Sequence, residues 1–352
     1  FFESQLKSNN TKLDTVARVT NVQKNLYRIT SAKGEIAAKL SGSFFHHSEE
    51  WNSYPVVGDW ILFNNPPDSE YAIIEKILDR QNVLSRGAVG TGKSKHSSSG
   101  QKQVIVSNVD TVFIVCGLDR DFNLRRIERY LTIAYDSQTM PVIVLNKSDL
   151  VEDPEVKRLE VEEIAFGVPI LLTNVEDYDS VDSLRQYLTQ GRTATLVGSS
   201  GVGKSTIINM LLGTDRQKTS TISDHVNKGR HTTTTRELIV LPDGGIIIDT
   251  PGMRELQVTD CDEGFSSTFD DIEQLSFQCR FSDCSHTNEP GCAVREALED
   301  GELNFDHLAS YQKLRKELDF EIKRKTKSTR VIEKEKWRKI KIAFRKSSNP
   351  KH

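Results

Sequence analysis

Gly198-Ser199-Ser200-Gly201-Val202-Gly203-Lys204-Ser205-Thr206 fits the phosphate-binding pattern G-x-x-x-x-G-K-[ST], and its surroundings decide the fold. The apolar run Thr193 to Val197 before it predicts a buried strand, and Thr206 to Leu212 after it predicts a helix. A glycine turn at a helix start aims several backbone N–H groups and the positive end of the helix dipole at one point, which suits a phosphate chain. In that arrangement Gly198 to Thr206 contacts the nucleotide, Lys204 reaches the β- and γ-phosphates and Ser205 ligates Mg²⁺. A chance glycine turn is the other reading of the motif, and it does not explain the flanking strand and helix.

The same pattern recurs at Gly87 to Ser94, but Lys95 to Lys102 beyond it is polar and rich in Gly and Ser, with no apolar face to seat a helix. Residues 86–103 therefore read as a flexible linker. Downstream of the phosphate loop, Asp215 to Lys228 is polar and aperiodic, as a mobile switch loop would be. It runs into Gly229-Arg230-His231-Thr232-Thr233-Thr234-Thr235, where Thr233 or Thr234 is expected to complete the Mg²⁺ shell. A Thr-rich strand start is the plainer reading of any single threonine. Gly245 to Ile248 then predicts a strand delivering Asp249-Thr250-Pro251-Gly252. Asp249 is expected to hold Mg²⁺ through water and the Gly252 N–H to sense the γ-phosphate, which makes Lys204, Ser205, Asp249 and Gly252 the expected catalytic set. Met253 follows, and a methionine cannot orient a water by hydrogen bonding. Slow intrinsic hydrolysis, completed by a partner, is the expectation.

Upstream, Asp110 to Cys116 reads as a buried strand and Leu124 to Tyr135 as a helix with Ile127, Leu131 and Ile133 inward. Pro141 to Leu145 is a further strand, ending in Asn146-Lys147-Ser148-Asp149. This fits N-K-x-D. The Asp149 carboxylate accepts from guanine N1–H and the 2-amino group while Asn146 faces the other edge of the base. Adenine offers neither donor, so such a site rejects it and favours GTP over ATP. A helix from Pro154 to Phe166, a strand from Val168 to Leu172 and a helix from Ser180 to Thr189 follow. Thr173-Asn174 lies where a second base-contacting loop would be, without the expected Ser-Ala pair. Because N-K-x-D precedes the phosphate loop, inverting the usual order, residues 104–260 read as a circularly permuted α/β P-loop GTPase domain.

Before it, Val16–Thr20, Leu26–Thr30, Glu35–Lys39, Trp60–Phe63 and Tyr71–Ile77 predict five short strands, an all-β OB-fold barrel over 11–85. After it, Cys279-x4-Cys284-x-His286-x5-Cys292 supplies three thiols and an imidazole, the donor set of a structural Zn²⁺ site with no open position. Residues 261–322 thus read as a zinc-binding α-helical domain with helices Ala293–Leu298 and Phe305–Phe320, the second packing through Leu308, Tyr311, Leu314 and Leu318. Cys116 and Cys261 read as structural. Residues 323–352 hold thirteen Lys/Arg against Glu333 and Glu335, a local charge of +11 that leaves −14 elsewhere in a chain of net −3. This basic arm suits nucleic acid or a solvated tail equally.

The 352 residues carry no apolar run near the roughly 18 of a membrane span. With no secretory signal and an odd five cysteines, a cytoplasmic protein without disulfides or membrane contact is expected. Nothing suggests a stable oligomer, so a monomer is expected.

The order barrel, permuted GTPase domain, cysteine cluster closely resembles the RsgA, or YjeQ, family of small ribosomal subunit biogenesis GTPases. Val57-Gly58-Asp59-Trp60, Ser107-Asn108-Val109-Asp110, Asn123 to Leu131, Gly229 to Thr234 and the zinc-ligand spacing carry the resemblance. It implies a GTPase that binds the small ribosomal subunit and its rRNA late in maturation, is activated by it and leaves on hydrolysis. A GTP-regulated RNA-binding scaffold and a permuted GTPase of large-subunit assembly remain alternatives, separated by which subunit stimulates turnover.

Overall fold

The computed structural model describes residues 5–6, 13–24, 26–42, 44, 54–67, 69–87, 102–174, 176–213, 236–250 and 261–326. Thr233, Thr234, Gly252 and Met253 lie outside them, as do 88–101 and 327–352. Among the described residues no helix is long and apolar enough to cross a membrane.

The N-terminal unit is a barrel of β1 (Val16–Gln23), β2 (Leu26–Ser31), β3 (Gly34–Leu40), β4 (Trp60–Asn64) and β5 (Ala72–Ile77). Its strands follow the order β1-β2-β3-β5-β4, and β4 pairs back onto β1 to close it. Strand alternation fills it: in β2, Tyr27 and Ile29 point inward while Arg28 and Thr30 face out.

A two-stranded antiparallel ribbon follows, β6 (Val83–Gly87) with β7 (Lys102–Ser107). The ends of the expected 86–103 linker are therefore paired strand, and 88–101 joins the two. Val104, Ile105 and Val106 are buried, so β7 is held by hydrophobic packing that the polar run before it conceals.

The central sheet contains β8 (Thr111–Gly117), β9 (Met140–Asn146), β10 (Ile170–Thr173), β11 (Thr193–Val197), β12 (Glu237–Val240) and β13 (Ile246–Asp249). Its order is β10-β9-β8-β11-β13-β12, parallel except for β12. Side chains alternate between two cores. Phe113, Val115, Val142 and Val144 meet α3 (Tyr178–Asp182) and α4 (Lys204–Leu211) on one face. Ile114, Ile143 and Leu145 meet α1 (Leu124–Asp136) and α2 (Pro154–Ile164) on the other. Asn123 caps α1 by accepting from the Arg126 N–H at 3.1 Å. The helix expected over Ser180–Thr189 is instead α3 followed by a 3-10 turn, Ser183–Tyr187.

Barrel and central sheet are joined by backbone. β1 pairs with β12 at Asn21↔Glu237, and the Asn21 amide donates to Arg236 O at 3.0 Å. Beside this, buried Arg18 donates to Gly58 O, Thr193 Oγ1 and Asn108 O at 3.3, 2.9 and 3.0 Å. Burial lowers its pKa to about 10.

The C-terminal unit comprises α5 (Asp262–Thr268), α6 (Asp270–Ser276), α7 (Ala293–Glu299) and α8 (Phe305–Thr326). α8 buries Leu308, Tyr311, Leu314 and Leu318, as the spacing predicts, and extends into the start of the basic stretch. Neither α5 nor α6 is among the expected helices, although Phe265, Phe269 and Ile272, all fully buried, recur at helical spacing. α5 lies hard against α1, where a side chain at Gly264 would overlap the Thr132 carbonyl.

Candidate nucleotide and metal sites

Parallel neighbours β9, β8, β11 and β13 end on one edge of the sheet, the edge at which open α/β sheets bind ligands. Their ends bring together Asn146 to Asp149, Gly198 to Thr206 and Asp249, which are separated in the chain.

The phosphate loop takes the shape its glycines allow. Gly198 has φ +145°, and a side chain there would strike Val115 O; Gly203 has φ +100°, and a side chain would strike the Asn146 amide. Val202 is buried, while Ser200, Gly201, Ser205 and Thr206 are exposed. Lys204 opens α4, and its Nζ donates to Gly198 O at 2.8 Å and Ser199 O at 2.5 Å.

Within N-K-x-D the residues divide. Asn146 is fully buried; its Nδ2 donates to Val202 O at 2.7 Å and its Oδ1 accepts from Thr173 Oγ1 at 3.1 Å. The side chain expected against the base is thus directed at the phosphate loop. Lys147, at φ 62°, places Nζ 2.6 Å from Asp119 Oδ2, a bond that holds the Asp119 carboxyl below its usual range. Ser148 lies in a 3-10 turn beside them, and Asp149 is exposed, its carboxylate without a hydrogen-bond partner among the described residues.

Asp249, at the end of β13, faces Glu237 across the β12–β13 pair. Burial, reinforced by the Glu237 charge, pushes the Asp249 carboxyl up, with Lys204 opposing. Two carboxylates near a lysine and the exposed Ser205 hydroxyl are hard oxygen donors suited to Mg²⁺. Thr195 Oγ1 donates to Ile248 O at 2.9 Å, tying the strand that ends in Asp249 to the strand that opens the phosphate loop.

Cys279, Cys284, His286 and Cys292 converge, with their ligand atoms all within 4.8 Å of one another. The edges Cys279 Sγ–Cys292 Sγ, Cys279 Sγ–His286 Nδ1 and Cys292 Sγ–His286 Nδ1 are 3.9, 3.7 and 3.5 Å. A tetrahedron built on Zn–S bonds of about 2.3 Å has S–S edges of about 3.8 Å, so the donor set fits Zn²⁺ in size and chemistry. Without a cation, burial and the neighbouring thiols push Cys292 up to about 11, and burial lowers His286. His286 and Gly291 adopt left-handed backbone, and Arg280 N donates to Gly291 O to close the loop around the cluster.

Two residues outside the nucleotide-binding motifs touch the nucleotide loops, Asp119 at Lys147 and Arg126 at Ser199, and Asp121 braces both of them. The signal for them was local, an acidic pair directly after a buried strand and just before the Asn123 helix cap.

A model of the RsgA GTPase family matches residues 74–259. Small ribosomal subunit biogenesis GTPase RsgA 2 of Lactiplantibacillus plantarum is 45% identical over 306 residues, covering 87% of this chain and 84% of its own. RsgA of Syntrophotalea carbinolica is 45% identical over 318 residues, covering 90% and 87%. Among solved structures, YjeQ from Thermotoga maritima superposes with TM-score 0.63 at 28% identity, over 86% of this chain and 98% of that one. The circularly permuted GTPase YloQ shares the fold, with TM-score 0.59 at 23% identity over 86% and 94%. With barrel, permuted sheet and Cys₃His cluster in the same order, this chain belongs to the RsgA GTPase family.

Proposed function

We propose that this protein is a GTPase acting in assembly of the small ribosomal subunit, slow alone and activated by that subunit, with hydrolysis coupled to release. The observation that carries the reading is the convergence of Asn146 to Asp149, Gly198 to Thr206 and Asp249 on one sheet edge in permuted order. Phosphoryl transfer asks mainly for positioning and charge stabilisation. Backbone N–H groups of Gly198 to Thr206 cradle the phosphates and Lys204 moves from its loop carbonyls to the β- and γ-oxygens. Ser205 and Asp249 hold Mg²⁺, which when bound neutralises charge on those oxygens. Asp149 reads guanine from an exposed position, while Asn146 sets the spacing between base and phosphate loops. Thr233 or Thr234 and the Gly252 N–H serve the γ-phosphate on the sequence argument alone, and Met253 leaves the attacking water to a partner's group.

The protein works as a cytoplasmic monomer, with rRNA as the surface it contacts through the barrel, the zinc unit and the 323–352 arm. The test is GTP turnover by the protein alone, with small and with large subunits, beside a Lys204→Ala control. Stimulation by small subunits only, abolished in the control, is expected. Nucleotide binding without stimulation by either subunit would instead make this a GTP-switched binding protein.

A further inference from the structure

The turn between β8 and α1 grips both nucleotide loops. Asp119 holds Lys147 through Oδ2 and accepts from the Asp121 N–H through Oδ1 at 2.9 Å, while Phe122 N donates to Asp119 O at 3.0 Å. Leu118 N donates to Asn146 O at 2.8 Å, fixing the turn to the same strand end. From the first turn of α1, Arg126 reaches the other loop. Its Nη1 lies 2.5 Å from Ser199 Oγ, 3.2 Å from Asp121 O and 2.6 Å from Asp121 Oδ1. Ser199 is thereby held twice, by Arg126 at its hydroxyl and by Lys204 at its carbonyl.

These two ties differ in what happens when a phosphate arrives. Lys204 is the lysine that must turn to the phosphate oxygens, releasing Ser199 O. Arg126 is anchored by Asp121 and by its helix, so its bond to Ser199 Oγ persists. We infer that Arg126 is a positioning residue, one that keeps the entry of the phosphate loop in its binding shape after Lys204 has left it. The inference rests on the GTPase reading and gives a role to a residue outside the nucleotide-binding motifs, in the Asn123 to Leu131 stretch. Through Asp119 and Lys147 the same turn also references the base loop, so base and phosphates are held at a fixed separation.

A bond made equally with GDP and GTP is uniform binding, which sets affinity and not turnover at saturation. In Arg126→Ala, affinity for fluorescent GDP and KM for GTP should weaken together by about tenfold, one lost charge-assisted hydrogen bond, with kcat within about threefold. Arg126→Lys should recover only part, because a lysine keeps the charge and loses the fork. Ser199→Ala removes the bond from the other side. It should weaken affinity by a similar factor and add nothing in the double variant. If Arg126→Ala fails to fold, Ser199→Ala alone decides. Wild-type affinity in both folded single variants, or a loss confined to kcat, would overturn the inference while leaving the GTPase reading intact. A wild-type protein that binds neither GDP nor GTP would overturn the GTPase reading, and the inference with it.

Discussion

Asn146 and Asp149 sit three positions apart in one motif and do opposite things. Asn146 is buried, spending its amide on the Val202 carbonyl and the Thr173 hydroxyl, whereas Asp149 is exposed. Removing the first strands two buried partners, which costs about 1–3 kcal/mol each when nothing replaces the bond. Asn146→Ala should therefore lower unfolding stability by about 2–4 kcal/mol, read as a fall in the urea midpoint. Asp149→Asn touches no packed contact and should leave stability within about 0.5 kcal/mol. It offers guanine N1–H a neutral oxygen and sets an amide N–H₂ against the 2-amino donors, so GTP affinity should fall at least about tenfold. An Asn146→Ala protein with the wild-type midpoint would show that the buried amide is not what couples the two loops. Gly203 belongs to the same contact: its missing side chain is the space the Asn146 amide occupies.

At the scale of elements, α1 connects the sheet to the C-terminal unit through a buried charged cluster. His307 of α8 lies 2.5 Å from Glu128 Oε1 of α1 and 3.2 Å from Asp271 Oδ1 of α6, with the Phe269 ring alongside. Among the described residues Glu128 Oε2 is buried without a hydrogen-bond partner. A cavity of about 350 Å³ beside them also brings Glu163 of α2, Asp270 and Tyr135 toward the group. Burial works against the imidazolium, but the bonds to Asp271 and Glu128 prevail and raise His307 from 6.5 to about 9. A histidine whose pKa is raised on folding contributes its full stabilisation below about 6.5 and loses it as pH climbs through about 9. Docking of the C-terminal unit should weaken across that window by on the order of 2 kcal/mol, and His307→Gln should flatten the dependence. Thermal unfolding from pH 6 to 9.5 with saturating Zn²⁺ measures this, because rising pH favours thiolate ligation and pushes the opposite way. An unchanged slope in His307→Gln would assign the pH dependence to other groups.

Across the whole molecule, the legible parts were those whose chemistry demands a fixed position. A phosphate loop needs a strand before it and a helix after it, N-K-x-D needs a strand end, and four zinc ligands need one another, so their order alone disclosed the permuted sheet. Other features had no such signal. β12 spans four residues and buries only Leu238 among them, too short a pattern to announce its pairing with β1. Phe265, Phe269, Ile272 and Leu275 do recur at helical spacing, but Asp262 to Ser276 is broken into two seven-residue helices, of which α5 is placed by packing on α1 and α6 by packing on α7. Arg126 meets Ser199 across 73 positions of chain. That packing also has a consequence for the metal. Cys292, Val294, Ala297, Leu308 and Leu314 share one continuous hydrophobic cluster with Ile127 and Leu131 of α1 and with Ile114, Ile143 and Ile248 of the sheet. A zinc ion that closes the Cys₃His loop therefore supports one edge of the core beneath the nucleotide-binding strands. Chelating the metal, or substituting Cys292→Ser, should lower the melting temperature of the GTPase domain as well as the C-terminal unit, since a core divided this way unfolds cooperatively. Hydrogen exchange would locate the effect: α1 amides from Ile127 to Ala134 should lose protection on chelation, and added Zn²⁺ should restore it in the wild type but not in the Cys292→Ser protein. Loss of protection confined to 279–292, with α1 unchanged, would mean that the metal organises its own loop and nothing beyond it.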